Sequence, residues 1–498
     1  MDEMNLEDHS AQSQPALFSV GKREWIYGII CMISALCLAN FVLYGGFALG
    51  FAVASLVLTL GSVCYLLSRG HKLTAYSGAL LALSMVITAG FIRSDDSFVK
   101  AVMLCFLAVA ENLGLCLLAG QNRRDPGGFS TLWDAPRAIF VLGAGKSEIT
   151  VKSMAVSAKR SGKAGRIGGS LALGLVIALP LLAVVLILLM RADAAFSGLV
   201  ELLPKPDFGQ IVATVFFGAM GFFLVFPRAI AMHYSKMEPR EGRENKGLYP
   251  LTVNTVLAAL CLVYLVYLFS QLAYFVGGLR GILPKEFTMA EYARRGFFEM
   301  AWLCGINLAT IAIGIGVVRK EKKAPLSTRL LCLFISIITL FFVVTASAKM
   351  GLYIGSFGLS RLRVLTEVIM IFLAITTILV AVWLFAPKLP YMKAVLLTAL
   401  IMGALVFWVD VDSVVASYNV SAYQTGLLDG VDIYYLVNLS DGAVPYIARL
   451  AEDPDPAVAA AAVKALKMRD YPIIEGFRDW NYASHTAAEI IGKIMRIN

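Results

Sequence analysis

Apolar residues in this chain fall into about eleven long runs separated by short polar intervals. The runs cover residues 25–43, 47–67, 75–92, 98–119, 168–190, 211–226, 251–276, 300–318, 330–346, 364–385 and 394–409. A hydrocarbon core about 30 Å thick needs roughly 17–25 apolar residues of helix, and a segment inside it must satisfy its own backbone. The runs are too long and too uniformly apolar for the alternating strands of a barrel. The pattern therefore predicts an all-α integral membrane protein, a polytopic bundle of about eleven transmembrane helices followed by a small helical soluble domain. The first two runs meet at Tyr44-Gly45-Gly46. Together they are about twice one membrane thickness, so a tight hairpin is expected there.

The polar intervals alternate in charge. Lys22 and Arg23, then Arg69 and Lys72, then nine basic residues between Arg123 and Arg166 lie in every second interval. Arg228, Lys236, Arg240, Arg243 and Lys246 follow, then Arg319, Lys320, Lys322, Lys323 and Arg329, and finally Lys388 and Lys393. The intervening loops are poorer, the richest holding Arg280, Lys285, Arg294 and Arg295. Basic residues favour the cytoplasmic side, which places the amino terminus inside and the carboxyl-terminal segment outside. The polar tail before Lys22 leads into a full-length run without a small-residue cleavage site, so the first run is expected to remain as an anchor.

The expected organisation is a cytoplasmic tail (1–24), a four-helix transmembrane part (25–120), a basic cytoplasmic loop (121–167), a seven-helix transmembrane part (168–409) and an extracytoplasmic α-helical domain (410–498). Within the basic loop, residues 129–142 mix Trp133, Ile139 and Phe140 with Asp134 and Arg137, as a helix lying on the membrane surface would. In the last domain, Asp455-Pro456 before an alanine-rich stretch reads as a capped helix start. With residues 443–450 it forms one hairpin of the HEAT type, which cannot bury its own apolar face and must pack on neighbouring helices or on a partner.

Composition strengthens this picture. With 59% hydrophobic and 15% charged residues and a mean hydropathy of +0.75, most of the 498-residue chain requires lipid as its solvent. The net charge of +9 divides into −5 for residues 410–498 and +14 for the rest. That excess sits in the inward loops, where anionic headgroups account for it without a nucleic-acid partner. The eight cysteines (31, 37, 64, 105, 116, 261, 304 and 332) all fall in apolar runs and suit small buried residues better than disulfides or a metal site. His9, His71, His233 and His485 are scattered, and no zinc helix or nucleophile elbow is present. Gly143-Ala144-Gly145-Lys146-Ser147 ends like a phosphate loop, but Phe140 stands where its first glycine would be. No catalytic residue, cofactor or metal is assigned.

Ionisable groups inside a span are the default functional candidates. Glu111, with Asn112 beside it, falls near the middle of the fourth run; it is either a hydrogen-bonded structural carboxyl or part of a proton or cation pathway. Asn40, Asn254, Gln271 and Asn307 suit hydrogen bonds between helices. Two outward segments stand apart. In the first, Thr288 and Glu291 form a capping box, and Glu291, Arg295 and Glu299 follow at helical spacing. The second runs from Lys349 to Arg363, with Glu367 one helical turn further on. Each puts a tyrosine, a glycine and two arginines before a span. Arg294, Arg295, Arg361 and Arg363 could therefore form an outer vestibule for an anion, or simply snorkel to the interface.

The same residues carry a resemblance. Glu291-Tyr292-Ala293-Arg294-Arg295-Gly296-Phe297-Phe298-Glu299, the segment from Tyr353 through Gly358 to Arg363, and Tyr418-Asn419-Val420 with Leu439-Ser440-Asp441-Gly442-Ala443-Val444-Pro445 resemble bacterial membrane proteins of the domain-of-unknown-function 4173 or 4153 type. The likeness spans roughly residues 250–450. It implies a bacterial inner-membrane protein with a short extracytoplasmic tail, and it brings no established substrate or catalytic residue. Two function classes follow. One is a transporter or permease of a small solute, an anion among the candidates, using Glu111, Asn112, Arg294, Arg295, Arg361, Arg363 and Glu367. The other is an envelope sensory, regulatory or scaffold protein that meets a membrane or extracytoplasmic partner through residues 410–498. An enzyme is the weakest reading, because no paired acids or nucleophile stand out.

Overall fold

A computed structural model describes residues 21–121, 134–153, 208–234, 248–279, 297–317, 324–469 and 476–496, with isolated positions at 174, 178, 185, 189 and 474. The long helices are α1 (Lys22–Gly45), α2 (Leu49–Ser68), α3 (Ala75–Gly90), α4 (Ser97–Leu118), α5 (Phe208–Tyr234), α6 (Pro250–Leu279), α7 (Phe297–Val317), α8 (Leu326–Phe357), α9 (Arg361–Phe385) and α10 (Tyr391–Val409). Shorter helices follow: α11 (Val411–Gln424), α12 (Val444–Leu450), α13 (Pro456–Met468) and α14 (Tyr482–Arg496). Among the described residues nine helices are long and apolar enough to cross a membrane, and α3 is a shorter apolar helix. The chain is an all-α membrane protein. The expected span at 168–190 lies outside the described residues, apart from the isolated positions.

One boundary falls where the hydropathy pattern puts it, and two differ from it for physical reasons. Gly46 and Phe47 take left-handed backbone conformations (φ 64° and 56°), and they turn α1 back into α2. Helix α5 continues past residue 226 and through Pro227 to Tyr234, so Arg228 is a helical residue and not the loop cation that its charge suggested. Helix α8 runs 32 residues to Phe357 and stops at Gly358 (φ 71°), carrying much of the second outward segment as helix.

Packing divides the chain into two units. The first comprises the described residues of Met1–Thr88, Ala108–Arg123 and Leu132–Glu238. Its core joins Tyr27, Cys31, Leu58, Tyr65, Leu115, Phe222, Phe226 and Ile230, with Tyr27 stacked on Tyr65 at 4.7 Å. Gly61 and Gly218 let α1 come close: a Cβ at either would lie 2.7 Å from a side-chain carbon of Ile30 or Leu36, respectively. Part of the expected surface helix is described here. Ala138 and Leu142 are buried in this core, while Phe140 and Val141 are exposed. At one end of the unit Glu24 is paired with Arg69 and accepts a hydrogen bond from Tyr65 at 3.1 Å. His71 Nε2 and His233 Nδ1 are 3.0 Å apart, and Gln121 donates to the Met232 carbonyl at 2.9 Å.

The second unit comprises the described residues of Ala89–Leu107 and Pro239–Asn498. Helices α6 to α9 share one core, and a second core gathers the carboxyl-terminal helices around α11 through Val411, Val415, Val420, Ile447, Leu450, Leu466 and Ile491. The HEAT-like hairpin thus buries its apolar face on α11 and α14, and Asp455 caps α13 by accepting from the Ala457 N–H at 2.8 Å. Asparagines link helices as their positions suggested. Asn307 donates to Thr339 at 3.0 Å and Asn254 to Ser327 at 2.8 Å; in the first unit Asn40 donates to Thr214 at 3.2 Å. The Gln271 side chain lies outside the described residues.

Candidate functional site

The polar end of the second unit is built from three stretches distant in sequence: the 91–96 turn before α4, the 358–361 turn before α9, and the carboxyl-terminal helices from Asp410 onward. Each is a helix boundary, where backbone groups lack intrahelical partners and charged side chains can supply them. Asp96 accepts from the Val99 N–H at 2.6 Å at the start of α4. Ser360 caps α9 by accepting from the Arg363 N–H. Asp412 lies in the first turn of α11 and accepts from the Ser440 N–H at 2.7 Å.

Arg361 ties these boundaries together. Its Nε donates to Asp412 Oδ1 at 2.8 Å, Nη2 binds Asp412 Oδ2, and Nη2 also lies 2.7 Å from Asp96 Oδ2. This forked geometry is specific to a guanidinium. Asp441 makes a second junction. Its N–H donates to the Asp95 carboxylate at 3.1 Å, while its own carboxylate accepts from Arg469 at 3.0 Å and Ser484 at 2.7 Å. Arg469 also holds the Val437 and Leu439 carbonyls at 2.6 and 2.8 Å.

These contacts set the carboxyl groups apart. Burial and the neighbouring Asp441 carboxylate push Asp95 up to about 7. Burial also raises Asp412, but the hydrogen bonds from Arg361 and Ser440 outweigh it and hold that carboxyl below its ordinary range. Asp410 is raised, chiefly by burial, against a lowering hydrogen bond from Ser413. Its backbone is left-handed (φ 55°), a rare conformation for a residue other than glycine. The Ser413 hydroxyl lies 2.8 Å from Asp410 Oδ2 and 2.9 Å from the Gly442 carbonyl. A Cβ on Gly442 would overlap the Asp410 carboxylate, so glycine is required there.

Beside Asp410 opens a cavity of about 580 Å³, within the usual range of small-molecule sites. It is lined by Arg93, Asp410 and Asp441 together with the hydroxyl-bearing residues Ser413, Ser417, Ser421, Thr486, Tyr418, Tyr446 and Tyr482. Arg93 is stacked over the Tyr482 ring at 4.8 Å. Such a wall can hold a small polar molecule by hydrogen bonds and charge. Among the described residues no group of three or more His, Cys, Asp or Glu side chains is arranged to hold a metal ion.

The residues singled out from sequence are distributed differently. Glu111 and Asn112 lie in the first unit, where both bind the buried Arg228, with Nη2 to Glu111 Oε1 at 2.7 Å and Nη1 to Asn112 Oδ1 at 3.0 Å. Glu111 is therefore half of an ion pair. Arg363 is held locally, stacked over Tyr353 at 4.2 Å and donating to the Phe357 carbonyl at 3.1 Å and to that of Gly358. Glu367, one turn along, has a buried Oε1 without a hydrogen-bond partner among the described residues. Asn419 clamps the turn at Gly358, accepting from the Leu359 N–H at 2.7 Å and donating to its carbonyl at 2.9 Å. Tyr418 lines the cavity, and Phe297 is buried in the core of α6 to α9. Glu291, Tyr292, Arg294, Arg295, Gly296 and the Thr288 capping box lie outside the described residues.

Asp95, Asp96, Asp410 and Asp412 went unnoticed in the sequence, as did Arg93, while Asp441 stood out only as part of the motif that carries the family resemblance. All five acids fall in intervals assigned to the basic-poor side, and that shared address was the available signal. No curated protein and no solved structure matches this chain. A family model does match, over residues 75–450, and it reaches well before the segments that first suggested the likeness. Because the match covers well over half of the chain and includes the turns that carry Asp95, Arg361, Asp412 and Asp441, the protein belongs to the family described as domain of unknown function (DUF4153).

Proposed function

We propose that this protein is a membrane-anchored sensory or regulatory protein of the bacterial inner membrane that binds a small polar ligand on its extracytoplasmic side. The observation that carries this reading is the hydroxyl-rich cavity beside Asp410, walled by α11, α12, α14 and the turn before α4. Arg361, Asp412 and Asp441 join the same turns, so a ligand that moves one of them has a direct mechanical route to the spans. The alternation of basic loops supports an amino terminus inside and residues 410–498 outside. That alternation is supported by which turns meet. Residues 91–96, 358–361 and 410–441, all assigned outward, converge in the second unit, whereas Glu24, Arg69 and His71, all assigned inward, lie together with His233 in the first.

A permease remains the competing reading, because the cavity adjoins the end of a span. It no longer draws support from Glu111 as a free proton site, since that carboxylate faces Arg228. Nor does Arg361 offer a free cation to an anion, since two carboxylates already flank it.

The test uses full-length protein in lipid nanodiscs and a panel of amino acids, short peptides, sugars and polyamines. A ligand present at a hundred times its Kd stabilises the native state by about 2.7 kcal/mol. A stabilising compound should lose its effect in Ser417→Trp, which fills the cavity. No stabilisation by any class would overturn the sensory reading. Uptake of the same compound into proteoliposomes would favour the permease.

A further inference from the structure

Two opposite charges stand on the wall of the cavity without neutralising each other. Two other arginines at the polar end of this unit are matched by carboxylates: Arg361 lies between Asp96 and Asp412, and Arg469 holds Asp441. Arg93 is different. Its guanidinium plane rests on Tyr482 at 4.8 Å, and among the described residues it enters no ion pair. Asp410 shares the cavity wall and is close enough to feel the Arg93 charge, yet it makes no ion pair with it.

We propose that the cavity binds a zwitterionic ligand of the amino acid or short-peptide class, with its carboxylate on Arg93 and its ammonium group on Asp410. This rests on the ligand-binding reading above and narrows it to one chemistry. A simple anion would satisfy Arg93 but face the Asp410 carboxylate, and a simple amine would satisfy Asp410 but face the guanidinium. In a partly desolvated site each mismatch leaves a charge uncompensated, which is costly. A molecule with both charges pairs both walls at once.

The supporting groups fit this occupant. Asp410 is fixed rather than free to swing, because its backbone is left-handed, Ser413 holds one carboxylate oxygen, and Gly442 closes against the same oxygen. Strained backbone maintained by surrounding contacts is common where a side chain must be aimed. Stacking on Tyr482 orients the Arg93 fork, leaving its N–H edges for a planar carboxylate. Ser417, Ser421 and Thr486 line the same cavity, and hydroxyls of this kind can both donate to and accept from a peptide bond. The cavity, at about 580 Å³, has room for more than a single amino acid.

Binding to the full chain in nanodiscs is measured by calorimetry with the probes Ala-Ala and Ala-Ala-Ala, their N-acetyl and C-amide forms, glucose and putrescine. The uncapped peptides should bind, and capping either end should weaken binding at least tenfold. Asp410→Asn should bind the N-acetyl and uncapped peptides equally, and Arg93→Gln should do the same for the amide, whereas Arg93→Lys should retain the preference for a carboxylate. Asn tolerates positive φ, which protects the fold at position 410. If Asp410→Asn still fails to fold, the capped series on the parent protein decides alone. Capped peptides binding as well as uncapped ones would overturn the proposal. Binding of glucose or putrescine alone would also overturn it while leaving the ligand-binding reading intact. Silence from every probe on folded protein would sink both.

Discussion

The buried pair between Glu111 and Arg228 offers the most direct quantitative test of how the first unit is held together. Their side chains are 10% and 8% exposed, and Oε1 and Nη2 are 2.7 Å apart. Two unit charges about 3 Å apart at an effective dielectric of about 20 attract by roughly 5–6 kcal/mol, before the cost of removing them from water. Glu111→Leu or Arg228→Met alone leaves the other charge buried without its counter-ion, and each should cost about 3–5 kcal/mol. That is a hundredfold to a few thousandfold in the unfolding constant. Asn112 still accepts from Arg228 at 3.0 Å and cushions the Glu111 variant toward the lower end. Replacing both residues together removes both charges, so the double variant should lie within about 1–2 kcal/mol of the parent. Denaturant unfolding of the four proteins in mixed micelles, followed by tryptophan fluorescence, completes the cycle. Single-variant costs below about 1 kcal/mol, or a double variant costing the sum of the two, would refute the pairing argument.

Two further outcomes concern the second unit. Asp95 is pushed up to about 7, so between its unfolded value of about 4 and pH 7 the folded protein holds a proton that the unfolded chain releases. Its contribution is present below that window and is lost as the pH rises through it; Asp95→Asn should flatten the stability curve there, and an unchanged slope would contradict the assignment. Arg361→Lys keeps a positive charge but loses the fork that joins Asp412 to Asp96, so unfolding experiments should register a loss of roughly 2 kcal/mol. A loss under about 0.5 kcal/mol would mean that point charge alone suffices.

The sequence by itself determined the class of molecule. Apolar runs of membrane length force helices, because hydrocarbon offers no other partner to the backbone, and nine such helices are present among the described residues. It also marked local features that depend on near neighbours, such as the Asp455 cap and the turn between the first two spans. The partners of charged residues were decided only by tertiary structure. Arg228 looked like a loop cation because hydropathy averages over neighbours; its helical, buried position depends on Glu111 and Asn112, more than a hundred residues earlier. Likewise Arg361 and Arg363 looked equivalent, yet one bridges two carboxylates while the other folds back on its own helix end. The cavity was invisible for the same reason. Arg93, Asp410 and Thr486 come from three distant stretches, and only the packing of α11, α12 and α14 against the turn before α4 sets them around one space. Hydropathy is a property of each segment and survives without contacts, whereas charge pairing is a property of distances that the folded chain alone fixes.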